Sequence, residues 1–189
     1  MSKVIIIGSG LGGLSCGYIL QKNGYDVTIL EQGMQIGGCL QCFKRKGVKF
    51  ETGMHYIGSA AQGQTIDQIM HYFDLAKDVQ LSALDTSAYN TVSIAGEEFC
   101  FPSGKEAFIE QFSTRFPKER DSIKKYVEII ESIASASSLN SLTSSNRDVA
   151  IDSDYFTRSM DSVLDELFED ELLKNVLAGD IPLYAGGRR

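Results

Sequence analysis

Val4-Ile5-Ile6-Ile7 opens the chain with an unbroken run of β-branched apolar residues, the pattern of a parallel strand covered on both faces. Leu14 and Tyr18 then recur four apart, as do Cys16 and Leu20 one register over. This spacing predicts a helix from about residue 11 to residue 23, with Gly24 as its left-handed cap. Tyr25 to Leu30 returns to a strand pattern, so the chain begins as strand, helix, strand, a βαβ crossover that the chirality rule makes right-handed. Between Gly33 and Gly58 glycine is dense and the apolar runs are short (Val48, Phe50). That is the composition of a binding loop with small strands.

Further along, Thr91 to Ile94 and Glu98 to Phe101, joined through Ala95-Gly96-Glu97, predict a hairpin over 91–101. Phe101-Pro102-Ser103-Gly104 leads into a helix through Phe112. After Pro117 a longer helix is expected, with Ile123, Tyr126, Val127, Ile130 and Ile133 on one face and Lys124, Lys125, Glu128 and Glu131 on the other. Serine crowds the following stretch, read as a loop or lid over 135–145. Asp161 to Leu177 is expected as one final amphipathic helix burying Val163, Leu164, Leu167, Phe168, Leu172 and Val176. The fold class is therefore α/β: a Rossmann-like βαβ unit within residues 1–58, then a mixed α+β, mainly helical region over 59–189.

Composition narrows the function classes. At 189 residues there is room for one domain and part of a second. With 43% apolar and 23% charged residues the chain can bury a core. A net charge of −7 argues against a nucleic-acid partner, which needs clustered Lys and Arg. The one dense basic cluster, Lys44-Arg45-Lys46, reads as a solvated turn. The N-terminal apolar run is too short for a membrane span or signal-peptide core, so the chain is expected to begin in the cytoplasm, with contact at a membrane surface left open. The cysteines Cys16, Cys39, Cys42 and Cys100 are read as free thiols.

Gly8-Ser9-Gly10-Leu11-Gly12-Gly13 matches the GxGxxG pattern between a predicted strand and a predicted helix. Gly8 permits the tight turn, Gly10 lets backbone approach a pyrophosphate, and Gly13 lets the helix pack on the strand. The free N–H groups and positive dipole end of that helix then face an anion. Glu31 stands at the end of the second strand, placed to accept hydrogen bonds from ribose hydroxyls, and its charge disfavours the 2′-phosphate of NADP. Past Glu31-Gln32 the chain enters Gly33-Met34-Gln35-Ile36-Gly37-Gly38-Cys39. A Gly-Gly pair six residues beyond the acid resembles the extended fingerprint of glutathione-reductase-type flavoproteins, which implies FAD ahead of NAD. Cys39-Leu40-Gln41-Cys42 invites a zinc or redox-dithiol reading. It lacks zinc partners, and its spacing is not the CxxxxC of flavin-linked disulfide reductases, so packing or cofactor-adjacent thiols are the preferred reading.

Gly47-Val48-Lys49-Phe50-Glu51-Thr52-Gly53-Met54-His55-Tyr56-Ile57-Gly58, together with Gly37-Gly38-Cys39, resembles the phytoene desaturase, carotenoid isomerase and retinol saturase family, most of all its retinol-saturase branch. The resemblance is clear over residues 3–58 and thin beyond Ser135. It implies FAD, with Gly8, Gly10, Leu11, Gly12 and Gly13 at the pyrophosphate, and Glu31 with Gln32 at the adenosine ribose. Gly37, Gly38 and Cys39 would lie along the phosphate and ribityl region, and Gly53, Met54 and His55 toward the isoalloxazine. His55 and Tyr56 read equally well as packed core residues. The family implies hydride transfer or isomerisation on an apolar polyene or unsaturated lipid, with 59–189 as part of a substrate or cap region; no catalytic side chain is singled out, and the oligomeric state stays open. Family members are much longer and close their FAD site with a later glycine-rich segment, so this chain is expected to be a truncated N-terminal portion. Rival readings are a non-catalytic nucleotide-binding fragment, an amine-oxidase-like flavoenzyme and an NAD-dependent dehydrogenase.

Overall fold

β1 (Lys3–Ile7) and β2 (Asp26–Leu30) pair in parallel, from Lys3 opposite Asp26 to Ile7 opposite Leu30, and α1 (Leu11–Lys22) runs between them. The computed structural model describes residues 1–54, 56–136, 155 and 157–179. The chain divides into two compact units, Met1–Gln80 and Leu81–Arg189. The expected boundary at residue 58 falls inside the first unit. His55, most of the serine-rich stretch expected as a loop at 135–145, and the last residues of the chain lie outside the described residues.

In the first unit α1 ends where Gly24 takes φ +83°. There Tyr25 N–H donates to Leu20 O at 3.1 Å and Gly24 N–H to Gln21 O at 3.0 Å, the bond pair of a left-handed cap. The helix presses on one face of the sheet through its glycines: a Cβ on Gly17 would stand 2.9 Å from Ile29 Cδ1 and 3.5 Å from Ile6 Cδ1. Because alternate strand residues point to opposite faces, only Val4 and Ile6 lie on the helix side. The expectation that β1 is covered on both faces is corrected: Ile5 is 67% and Ile7 88% exposed. Cys16 on α1 is exposed as well.

A turn of 3-10 helix (Gly38–Leu40) leads into the antiparallel hairpin of β3 (Cys42–Arg45) and β4 (Val48–Glu51), where Phe43 and Phe50 stack at 5.2 Å. The basic cluster lies on β3 and its turn, exposed. α2 (Thr65–Tyr72) had no counterpart in the sequence reading, although Ile66, Ile69, Met70 and Phe73 carry the helical spacing that would have revealed it. It is fastened to α1 by aromatic contacts: the Tyr18 ring lies 5.1 Å from Phe73, and its hydroxyl donates to Asp74. Lys22 Nζ sits 4.7 Å from the Tyr72 ring centre and donates to Tyr72 O at 3.2 Å.

The second unit contains the hairpin of β5 (Asn90–Ile94) and β6 (Glu97–Phe101), then α3 (Lys105–Arg115), a 3-10 turn (Pro117–Glu119) and α4 (Arg120–Ala136). Its core joins Phe99 and Phe101 of β6 to Phe112, Phe116, Ile123, Tyr126 and Val127. On α4 the buried stripe departs from the expected one, since Ile130 is 47% exposed and Ile129 packs against the core instead. The single helix expected over 161–177 is two: α5 (Met160–Leu167) and α6 (Glu171–Leu177). Phe168 is extended, and the carboxylate of buried Glu119 accepts the N–H groups of Glu169 and Asp170, each at 2.7 Å. Asp170 then caps α6 by accepting Leu173 N–H at 3.0 Å. The break turns Leu173 fully inward and leaves Leu172 only partly covered. Among the described residues no helix is long and apolar enough to cross a membrane.

Candidate functional site

β1 ends at Ile7 and α1 begins at Leu11, so Gly8, Ser9 and Gly10 must reverse the chain within three residues. Gly8 does this at φ +100°, with its N–H donating to Leu30 O at 2.7 Å, which closes the turn against the end of β2. Gly10 occupies the N-cap position, where no side chain caps the helix and no acidic residue stands in the first turn. The N–H groups and positive dipole end of α1 therefore point out of the turn without a capping side chain. A Cβ on Gly13 would stand 2.0 Å from Gly8 O, whereas one on Gly12 would meet nothing within 4 Å. Leu11, at the tip, is 62% exposed.

Glu31 follows β2 directly, and its chain path brings the carboxylate to the glycine turn. Oε2 accepts the Ser9 N–H at 2.8 Å and the Ser9 hydroxyl at 2.5 Å, and Oε1 accepts the Gly33 N–H at 2.8 Å. These bonds, the Ser9 hydroxyl first, hold the carboxyl down at about 2, with the Gln32 backbone contributing less. Glu31 is thus a fixed anion at any ordinary pH. Gln32 beside it is exposed.

The Gly37-Gly38 pair returns to the same turn. Gly37 N–H donates to Ser9 O at 2.9 Å, and Gly37 forms a parallel bridge with Gly10. A Cβ on Gly38 would stand 2.9 Å from Gly10 Cα, so backbone lies directly on backbone here. Beyond it, a second cluster forms around the exposed Cys39. Thr52 Oγ1 donates to Cys39 O at 3.0 Å and to Gln41 O at 2.7 Å, and a Cβ on Gly53 would stand 3.0 Å from Cys39 O. Met54 is 43% exposed, and His55 lies outside the described residues.

The structure therefore brings Gly8, Gly10, Gly13, Glu31, Gly37 and Gly38 to one place, with Leu11 and Gly12 on the helix tip, and gathers Cys39 and Gly53 in an adjoining cluster. Two residues of this arrangement escaped the sequence reading. Ser9 is 2% exposed and touches both Glu31 and Gly37; it occupies a variable position of the glycine pattern, and only its hydroxyl hinted at a role. Thr52 gave no local signal. Cys42 donates from Sγ to Glu51 Oε2 at 2.9 Å across the β3–β4 ladder, and that bond to a carboxylate raises its thiol pKa. All four cysteines are free, and no group of three or more His, Cys, Asp or Glu side chains is arranged to hold a metal among the described residues.

An uncapped helix start, a backbone surface without side chains and a fixed carboxylate one strand away suit a phosphate ester and a sugar diol together. Residues 6–73 match the family model described as an NAD(P)-binding Rossmann-like domain. The human all-trans-retinol 13,14-reductase is 35% identical over 137 residues, which is 70% of this chain and 22% of that protein. The 1-hydroxycarotenoid 3,4-desaturase of Flavobacterium sp. (strain P99-3) is 28% identical over 129 residues, 68% of this chain and 26% of that protein. A shorter match, 39% identity over 44 residues, joins 23% of this chain to 8% of the L-amino-acid oxidase of Crotalus adamanteus. The chain spans about a fifth of the length of the retinol reductases it matches. Over its N-terminal region, which carries the Rossmann-like dinucleotide-binding unit, the homologues of this chain are all-trans-retinol 13,14-reductases and carotenoid desaturases.

Proposed function

We propose that this chain carries the adenine-nucleotide end of the FAD site of an oxidoreductase that acts on an apolar polyene or unsaturated lipid. The observation that carries the reading is the seating of Gly38 on Gly10, which joins the Gly-Gly pair to the glycine turn as one bare backbone surface. Homology to proteins named as retinol reductases and carotenoid desaturases supports the redox class and the kind of substrate. In this reading Gly8, Gly10, Leu11, Gly12 and Gly13 hold the pyrophosphate at the start of α1. Glu31 accepts the adenosine ribose hydroxyls with Gln32 alongside, and Gly37, Gly38 and Cys39 run along the phosphate and ribityl region. Gly53, Met54 and His55 approach the isoalloxazine. Bound FAD supplies the hydride chemistry; the residues of this chain bind and orient, and no acid or base among them is assigned to the reaction.

The test is to purify the chain, add FAD and record the visible spectrum and the thermal unfolding curve. Retained flavin bands after gel filtration, with a raised unfolding temperature, support the reading. Stabilisation by NADH and not by FAD would replace it with an NAD-dependent dehydrogenase. An effect of neither would leave a fragment that does not bind nucleotide by itself.

A further inference from the structure

We propose that Ser9 is the positioning residue of the nucleotide site: it holds the Glu31 carboxylate and the Gly37 backbone in one fixed frame and so selects an adenosine with a free 2′-hydroxyl. The inference rests on the nucleotide reading above and adds to it the residue that fixes the acid in place. Ser9 is 2% exposed between two glycines that contribute no side chains, so it is the one side chain inside the turn. All three of its polar groups are engaged, on two partners. Its N–H and its hydroxyl both donate to Glu31 Oε2, at 2.8 and 2.5 Å, and its carbonyl accepts Gly37 N–H at 2.9 Å. The ribose-facing acid lies 22 residues from Ser9 in sequence and the Gly-Gly pair lies further on, yet both meet the glycine turn at this one residue.

The chemistry follows from the lone pairs of the carboxylate. An ionised carboxylate accepts at two oxygens and offers no donor. Oε2 is committed to Ser9 twice over, while Oε1 carries the Gly33 N–H at 2.8 Å. Oε1 is therefore the oxygen left to accept a ribose hydroxyl, and Ser9 keeps the carboxylate from swinging away from it. The same bonds keep Glu31 charged, so a 2′-phosphate meets a fixed negative charge that neither rotates nor protonates out of the way. An alanine would fill the turn equally well. A purely structural role would thus leave the acid and the nucleotide preference untouched by Ser9→Ala.

The experiment compares the 189-residue wild-type chain with Ser9→Ala and Ser9→Thr, using ADP and its 2′-phosphorylated counterpart as probes in calorimetry. The Glu31 carboxyl is titrated by carbon NMR in the nucleotide-free proteins. Wild type is expected to prefer ADP, with Glu31 titrating at about 2. Ser9→Ala should weaken ADP by about tenfold, the worth of one hydrogen bond to a charged group, and narrow the preference. It should also move Glu31 up toward its ordinary value, and Ser9→Thr should restore both. Unchanged ADP affinity and an unmoved Glu31 titration in Ser9→Ala overturn the inference and leave the nucleotide reading standing. A wild-type chain that binds neither probe overturns the nucleotide reading, and the inference with it. If Ser9→Ala does not fold, a wild-type Glu31 that titrates at its ordinary value overturns the inference, and one near about 2 that Ser9→Thr preserves supports it.

Discussion

A Cβ placed on Gly13 would lie 2.0 Å from the carbonyl oxygen of Gly8, so the first turn of α1 and the glycine turn before it touch backbone to backbone. Neither partner has a side chain to rotate away, and relief requires α1 to move off the sheet. Gly13→Ala is expected to destabilise the Met1–Gln80 unit by about 3 kcal/mol, the upper range for overpacking. Gly12→Ala meets nothing within 4 Å and should change stability by less than about 1 kcal/mol, in the favourable direction of helix propensity. Urea unfolding of the two variants measures the contrast; equal midpoints would show that the close approach does not govern stability.

Glu31 gives the first unit a defined acid dependence. Its carboxyl is held at about 2, below the ordinary value of 4.5, by the Ser9 hydroxyl and then by the N–H groups of Gly33 and Ser9. A depressed carboxyl contributes stability that is complete above the unfolded value and is lost as the pH falls toward the folded one. The contribution should therefore be present throughout the neutral range and disappear between about 4.5 and about 2. Glu31→Gln should flatten that part of the stability profile. The amide resonances of Ser9 and Gly33, followed from neutral to acid pH, report the same loss locally.

Cys42 should be the slow thiol of the Cys39–Cys42 pair. Its bond to the Glu51 carboxylate stabilises the protonated thiol, with burial and the charge of Glu51 adding in the same direction. Thiolate is the reactive form, so a raised pKa means slower alkylation at pH 8. Iodoacetamide labelling followed by mass spectrometry should find exposed Cys39 modified first, and Glu51→Gln should accelerate Cys42. Equal rates at the two cysteines in wild type would refute the assignment.

Glu119 organises the second unit through two backbone donors. Glu119→Ala leaves the N–H groups of Glu169 and Asp170 without their acceptor at the break between α5 and α6. Breaking hydrogen bonds to a buried charged group predicts a loss of about 3 kcal/mol in a denaturant melt of the second unit. Glu119→Gln, which keeps a carbonyl oxygen at the same reach, should retain most of the stability. An alanine variant as stable as wild type would show that α5 and α6 are separated by something else.

Local pattern makes much of the architecture legible in the sequence alone. The apolar run at Val4, the helical spacing of Leu14 and Tyr18 and the glycine at 24 mark out β1, α1 and β2, and the alternation around Ala95-Gly96 marks the hairpin of β5 and β6. The elements that were misread depended on distant partners. The expected helix over 161–177 breaks because Glu119, some 50 residues earlier, claims the backbone at its middle. α2 was overlooked, and its place in the unit rests on Tyr18 and Lys22 of another helix.

For the candidate site the division runs along the same line. By itself the sequence determined the glycine turn, an acid at the end of the second strand, the Gly-Gly pair and the resemblance they carry, because residue type and fixed spacing express those features within a few positions. Only the tertiary structure decided that Ser9 joins Glu31 to Gly37, that Gly38 rests on Gly10, and that β1 is covered on one face alone. The contacts of Ser9 and of Gly38 join segments 22 or more residues apart, set by the path of the backbone through space, and no periodicity along the chain encodes them.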